Sequence, residues 1–232
     1  MLTYRKDSPI MDLTERSVEF VLRFAVDPMS KKETIIRAAA ILFSQKGFEN
    51  TRMSEISRMT GAAEGTIFYH FKNKEELFLA ILEEFKQDII SEFDRYLDEM
   101  NFETGMEMLE GSLSFYLSLA GSMEDRFLLL HRHDAYELAR VNPACKNHLE
   151  AIYNGLVDVF ERAVRMGQED GSMAPMPARK TALIVFSMVD GLVRFNTYEL
   201  YDAGSLYYDL IKACRRMVGH KRISETGAEN AE

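Results

Sequence analysis

Apolar residues recur along most of this chain at spacings of three and four, the repeat of a helix that buries one face. The repeat opens sharply at Ile35, Ala39, Leu42 and Phe43. It follows Ser30, which with Glu33 three residues later spells a capping box, and Gly47 supplies the stop. Met53, Ile56 and Met59 predict a second, short helix, with Thr51 placed to cap it and Gly61 to end it. A third short helix must carry Thr66, Ile67 and Phe68 before Asn73. Asn73 is the natural cap of a fourth, with Glu75 and Glu76 in its first turn and Leu77, Ile81, Phe85 and Ile89 as its stripe. Longer helices are expected over 103–120, 124–140, 144–168, 177–199 and 204–219, parted by Gly121-Ser122, Asn142-Pro143, Gly171 through Pro177, and Ala203-Gly204. Leu13, Phe20, Leu22 and Phe24 give residues 12–26 a similar pattern, which Pro28 ends. No segment alternates with period two, and no proline interrupts the 114 residues between Pro28 and Pro143. Proline breaks helices, so so long a gap favours an all-α fold.

Composition narrows the picture. The chain has 232 residues, 47% of them apolar and 28% charged, which excludes wholesale disorder and allows a substantial core. No run approaches the roughly 18 apolar residues of a membrane span. Phe20 to Val26 is interrupted by Arg23 and lacks a cleavage site of small residues, which makes it a poor secretion signal. Cys145 and Cys214 cannot build a disulfide framework, and a cytoplasmic location fits. The net charge of −9 argues against a nucleic-acid partner until it is divided by segment. Residues 29–74 hold eight basic and four acidic side chains, a balance of +4, whereas 1–28 carry −1 and 75–232 carry −12. Uneven charge is common on globular surfaces. It gains weight here because the basic part coincides with a motif.

That motif is a short helix, a glycine turn at Gly61 and a second short helix, the plan of a helix-turn-helix. In such a unit the second helix enters the major groove while the first crosses the backbone. The surrounding sequence, KKETIIRAAAILFSQKGFENTRMSEISRMTGAAEGTIFYHFKNKEELFLAIL, is about fifty residues long. It resembles the TetR/AcrR family of bacterial one-component regulators. The matching parts are the Ala-rich first helix ending in Phe43, Lys46-Gly47-Phe48, Thr51, Ile56, Gly61, Gly65-Thr66-Ile67, Tyr69-His70-Phe71 and Lys74-Glu75-Glu76-Leu77. The resemblance implies that Thr66 and Tyr69 face DNA from the recognition helix, with Gly65 in the same motif and His70 at the helix end. Lys74 is then expected on a phosphate, and Arg52 and Ser54 occupy contact positions of the family. Hydroxyls, amines and helix N-termini do bind phosphate oxygens. Two positions depart from the pattern. Phe68 stands where the family commonly has tyrosine, so it loses a phosphate bond but keeps apolar contact. Glu64 stands where a basic or neutral residue is common; it is either a reader of a cytosine amino group or a solvated acid at a helix start.

The family's remaining part is variable, binds a ligand and pairs its last two helices with a second copy. The expectation for this chain is therefore a homodimer through 177–199 and 204–219 that reads a palindromic operator. A small apolar or amphipathic effector in the body would release it, and no cofactor or metal is expected. The domains are expected as an extension or non-native start at 1–28, a DNA-binding head at 29–76, a helical ligand-binding and dimerisation body at 77–223, and a disordered tail at 224–232. The rival readings are a non-specific architectural DNA binder and a helical small-molecule enzyme, although no GxSxG, HExxH, P-loop or paired CxxC is found.

Other clusters admit two readings each. Met106, Phe115 and Phe127 belong to a body rich in Met and Phe, which either lines an adaptable pocket or fills a core. Asp190 and Arg194 form either an intrahelical ion pair or a polar anchor for an effector. His131 and His133, with Asp134 beside them and His148 further on, suggest a metal. Yet positions two apart on a helix face opposite ways, so chelation needs a partner from another helix. Leu183, Ile184, Val185, Phe186, Met188, Val189, Leu192, Val193 and Phe195 make one helix apolar nearly all round, and Leu206, Leu210, Cys214 and Met217 give the last helix a matching stripe. Cys145 stands near a helix start, where a thiol pKa can fall, or is an inert cysteine.

Overall fold

A computed structural model of the chain describes residues 30–202 and 204–219. The expectations for the extension at 1–28 and the tail at 224–232 lie outside the described residues. Helices are the only regular elements among the described residues: α1 Lys31–Lys46, α2 Met53–Thr60, α3 Glu64–His70, α4 Lys74–Glu99, α5 Gly105–Ser122, α6 Glu124–His131, α7 His133–Val141, α8 Pro143–Glu169, α9 Ala178–Thr197 and α10 Tyr207–Val218.

Local chemistry sets most boundaries. The Glu33 backbone N–H donates to Ser30 Oγ while the Ser30 N–H donates to Glu33 Oε2, which completes the capping box of α1. Asn73 accepts from the Glu76 N–H and opens α4, and Asn142 accepts from Ala144 and Cys145 and opens α8 with Pro143 in its first turn. Thr51 does not cap α2. Its buried hydroxyl turns back to the carbonyls of Gly47 (2.8 Å) and Leu42 (3.2 Å), and the α2 cap position falls to Arg52, whose N–H donates to Glu55 Oε2. The helix expected over 124–140 is broken. Arg132 lies in extended backbone (φ −70°, ψ 145°) between α6 and α7, with neither glycine nor proline nearby. The last helix starts later than expected, after a 3₁₀ turn at Gly204–Leu206.

The 26-residue α4 is about 39 Å long and runs through two packing environments. Its first turns bury Leu77, Phe78, Ile81 and Leu82 beneath α1, where Phe43, Phe48 and Phe78 meet with ring centroids 5.4–5.9 Å apart. Its later turns bury Phe85, Ile89, Phe93 and Tyr96 in the body. There Phe93, Tyr116, Phe127 and Phe186 pack edge to face or stacked, the geometry that ring quadrupoles favour. Helices α5 and α8 cross backbone to backbone. A Cβ on Gly105 would sit 2.0 Å from the Gly167 nitrogen. Both cysteines are buried, and burial pushes each thiol up to about 11, so the Cys145 pKa rises rather than falls at the start of α8.

Helix α9 is not buried on most faces. Val185, Phe186, Val189 and Val193 point inward, but Leu183 (53%), Ile184 (52%) and Phe195 stay exposed. The stripe expected on α10 is likewise divided. Leu210 and Cys214 pack inside the chain, while Leu206 and Met217 remain outside, as does Tyr208, which was not part of that stripe. Both helices thus keep apolar side chains exposed. No helix among the described residues is long and apolar enough to cross a membrane.

Candidate nucleic-acid interface and effector cavity

The head is held together by few but well-buried residues. Ile56 of α2 and Ile67 of α3 are fully buried, beside Ile35, Ala39 and Phe43 of α1. Gly61 takes the left-handed conformation (φ 70°, ψ 3°) that turns α2 into α3. Around it, the Ser57 hydroxyl donates to the Ala62 carbonyl (2.7 Å) and the Ala62 N–H donates to Thr60 Oγ1 (3.2 Å). Because Ile67 alone anchors α3 inward, the rest of that helix faces out.

Glu64, Gly65, Phe68 and Tyr69 are exposed, with Thr66 and His70 half-buried at their sides. Tyr69 is 84% exposed and Phe68 47%, two large rings held away from a well-packed head. The Tyr69 ring leans edge-on against His70 at 5.2 Å. Arg52 and Ser54 are exposed at the start of α2. Lys74 is engaged more than expected. Its ammonium donates to the carbonyls of Glu49 (3.2 Å) and Thr51 (3.3 Å) and sits 4.5 Å from the centre of the Phe48 ring. It ties the start of α4 to the α1–α2 loop, which leaves one N–H for another partner.

The segment joining α6 to α7 reaches the head as well, a contact the sequence reading missed. The Arg132 guanidinium donates to the Ser44 carbonyl at the end of α1 (3.0 Å), and Asp134 Oδ2 accepts the Phe48 N–H (2.8 Å). Gly47 lies between them in a glycine-only conformation (φ 87°, ψ 158°), and a Cβ there would meet Asp134 Oδ2 at 2.7 Å and Arg132 Nη2 at 2.9 Å. Four polar residues in the middle of an otherwise apolar helical stretch were the available signal. The sequence offered them as metal ligands. In the structure His131 is buried on Asp190 (3.0 Å), His133 is exposed beside Glu137 (3.3 Å), and His148 meets Glu83 (3.1 Å). Each histidine thus has a different carboxylate for a neighbour.

Asp190 and Arg194 do not pair with each other. Asp190 Oδ1 accepts from the Tyr116 hydroxyl (2.6 Å) and from His131 Nε2, while Arg194 donates a long bond to the His131 carbonyl (3.4 Å) and lies 6.0 Å from the centre of the Tyr136 ring. Both line a cavity of about 370 Å³ between α7, α8 and α9, with Tyr136, Tyr153, Asn154 and Phe186 among its other walls. The Met and Phe residues expected around a pocket lie elsewhere. Phe115 stacks on Tyr96 (4.2 Å, 4°), Phe127 packs edge-on against Phe85 and Tyr116, and Met106 is half-buried at the start of α5. They fill the core. Tyr136, Tyr153 and Phe186 lie far apart in sequence, and no local pattern marked them.

Comparison with known proteins agrees with the geometry of the head. Residues 35–81 match the family described as "Bacterial regulatory proteins, tetR family". The fatty acid metabolism regulator protein of Bacillus subtilis is 24% identical over 178 residues, which cover 76% of this chain and 86% of that protein. The HTH-type transcriptional regulator TtgR of Pseudomonas putida is 25% identical, over 75% of this chain and 83% of its own length. The crystal structure of the transcriptional regulator FadR from Bacillus subtilis, in complex with stearoyl-CoA, superposes with a TM-score of 0.66. The identity is 22%, and the match covers 78% of this chain and 96% of that one. With an exposed helix behind a glycine turn and these matches in the same region, residues 35–81 carry the domain of the tetR family of bacterial regulatory proteins, and the chain, similar to such regulators over about three quarters of its length, is a DNA-binding transcriptional regulator.

Proposed function

We propose that the chain is a cytoplasmic, homodimeric repressor that reads a palindromic operator through two copies of α3 and is released by a small molecule bound in its body. The observation that carries the DNA-reading part is the outward face of α3. Phe68 (47%) and Tyr69 (84%) stand exposed side by side on that face, behind the glycine turn of a helix-turn-helix, where two rings can meet bases and sugars. Thr66, Phe68 and Tyr69 are the proposed base and sugar contacts, and Arg52, Ser54 and the last N–H of Lys74 the phosphate contacts. Glu64 and Gly65 open the helix, and His70 closes it. The head is taken as 29–76 and the body as 77–223, divided within α4.

Symmetry requires the second copy. Half-sites lie about one helical turn apart, roughly 34–36 Å, which one head cannot span. The exposed apolar side chains of α9 and α10 are the proposed meeting face. A ligand shifts the balance only if it prefers the arrangement that does not fit DNA. The relatives are regulators, and FadR of Bacillus subtilis is crystallised with a small molecule, which supports a ligand-responsive regulator over an enzyme.

Footprinting on the DNA upstream of the chain's own gene tests the reading. A protected palindrome is expected. Uniform protection that weakens equally for every sequence as salt rises would instead make the protein an architectural binder.

A further inference from the structure

We propose that the cavity between α7, α8 and α9 takes a small ring compound bearing a carboxylate. The carboxylate draws Arg194 off the carbonyl of His131 and so loosens the hold of the α6–α7 segment on the DNA-binding head. This names the ligand class for the ligand-responsive reading above and rests on it.

The class follows from a count of hydrogen-bonding capacity around the cavity. Asp190 Oδ1 already accepts two bonds from within the core, from Tyr116 and His131, which ties that carboxylate to the core side of the cavity. Ser187 spends its proton on the Leu183 carbonyl. The Asn154 oxygen accepts from Arg179 (2.9 Å), which leaves its amide N–H groups. Tyr136 and Tyr153 share one bond between their hydroxyls (2.6 Å), so one of the two protons has no acceptor among the described residues. The Arg194 guanidinium, at the exposed mouth, makes only the 3.4 Å bond to His131 among the described residues, longer than ordinary N–H···O bonds. What remains is a group of donors with the Arg194 guanidinium at the exposed mouth, and the second Asp190 oxygen as an acceptor on the core side. A carboxylate matches those donors, since arginine binds it through two parallel bonds. The walls choose the rest of the molecule. Three rings, Tyr136, Tyr153 and Phe186, around about 370 Å³ suit a planar ring. That volume is near the small end for ligand sites.

The same bond links the cavity to the head. The His131 carbonyl is held by Arg194 and by the Tyr198 hydroxyl (3.2 Å), both at the C-terminal end of α9. One residue on, Arg132 grips Ser44; three on, Asp134 grips Phe48. His131 also keeps Nδ1 buried without a partner among the described residues, so the present arrangement leaves a polar atom that a shifted segment can satisfy. Capture of Arg194 by a ligand therefore acts on a segment with a hold on each side.

The test uses the full chain with benzoate, salicylate, 4-hydroxybenzoate and cinnamate, each beside its uncharged amide, and benzyltrimethylammonium as the cation. Calorimetry without DNA reads binding, and anisotropy on upstream DNA reads release. At least one acid should bind at least tenfold tighter than its amide and lower DNA affinity. Arg194→Gln should weaken that acid by about tenfold to a hundredfold while the thermal midpoint of the ligand-free protein stays put, as expected for an exposed side chain. Arg132→Gln should keep acid binding within about threefold yet lose most of the acid's effect on DNA, a separation that a purely structural role of Arg194 would not give. No acid binding, equal binding of acid and amide, or equal binding by Arg194→Gln overturns the proposal. If stearate or the cation releases DNA from Arg194→Gln and parent alike, the ligand class falls while the ligand-responsive reading stands. If acids bind as described but no DNA is bound at all, the regulator reading falls and the cavity assignment survives.

Discussion

Gly47 and Gly61 both have positive φ, but they carry different duties. Gly61 is in the left-handed region with open space around it, so an alanine there meets only backbone strain. Gly47 is in the region that only glycine populates, and its missing Cβ makes room for Asp134 and Arg132. Gly61→Ala should therefore cost about 1–2 kcal/mol, and Gly47→Ala about 3 kcal/mol or more. Urea midpoints of the two variants decide it; equal losses would mean that the Asp134 and Arg132 contacts yield freely. Lys74 illustrates a role the sequence left half-read. Motif position alone put it on a phosphate, whereas the carbonyls of Glu49 and Thr51 and the ring of Phe48 become neighbours only once the chain folds. Lys74→Ala should lower stability by about 1–2 kcal/mol as well as weaken DNA binding, after allowance for its partial exposure. Weaker DNA binding at unchanged stability would return the residue to the phosphate alone.

At the level of elements, what could be read in advance was whatever is written within a few residues. The capping box at Ser30, the stop at Gly47 and the cap at Asn73 are local bargains between side chain and backbone, and all three stand. The break at Arg132 is marked by neither glycine nor proline, and its polar residues find their partners far away in sequence: Arg132 donates to the Ser44 carbonyl, and Asp134 accepts from the Phe48 N–H. Apolar periodicity also said that α9 and α10 would be buried without saying against what. Leu210 and Cys214 turned inward, whereas Ile184 and Tyr208, 52% and 63% exposed, did not. If those exposed side chains join two copies, a charge among them is expensive to desolvate. Ile184→Glu should give a monomer in sedimentation with a nearly unchanged helical spectrum, and operator affinity should fall at least a hundredfold because two heads no longer bind as one. A dimer that survives this change would move the interface elsewhere.

At the scale of the whole molecule, the charge balance makes a quantitative claim. A chain of net charge −9 is expected to repel DNA, yet residues 29–74, which hold the helix-turn-helix, carry +4. The screening length at physiological salt is about 8 Å, shorter than the roughly 39 Å of α4 that carries the chain from head to body. Phosphates beside α3 should therefore feel the head and little of the acidic body. If each head of a dimer neutralises three to five phosphates, raising salt from about 50 to 200 mM should cut affinity by about 10³–10⁵. The slope belongs to the contacts, so replacing exposed acids far from the head, such as Glu150→Gln with Asp209→Asn, should leave it unchanged. Arg52→Gln should reduce it by about two, one phosphate from each of two heads. Anisotropy titrations over a salt series measure all three. A slope that moves with the body substitutions and not with Arg52 would mean that DNA sees the sum of the charge, and that the division into a basic head and an acidic body has no bearing on binding.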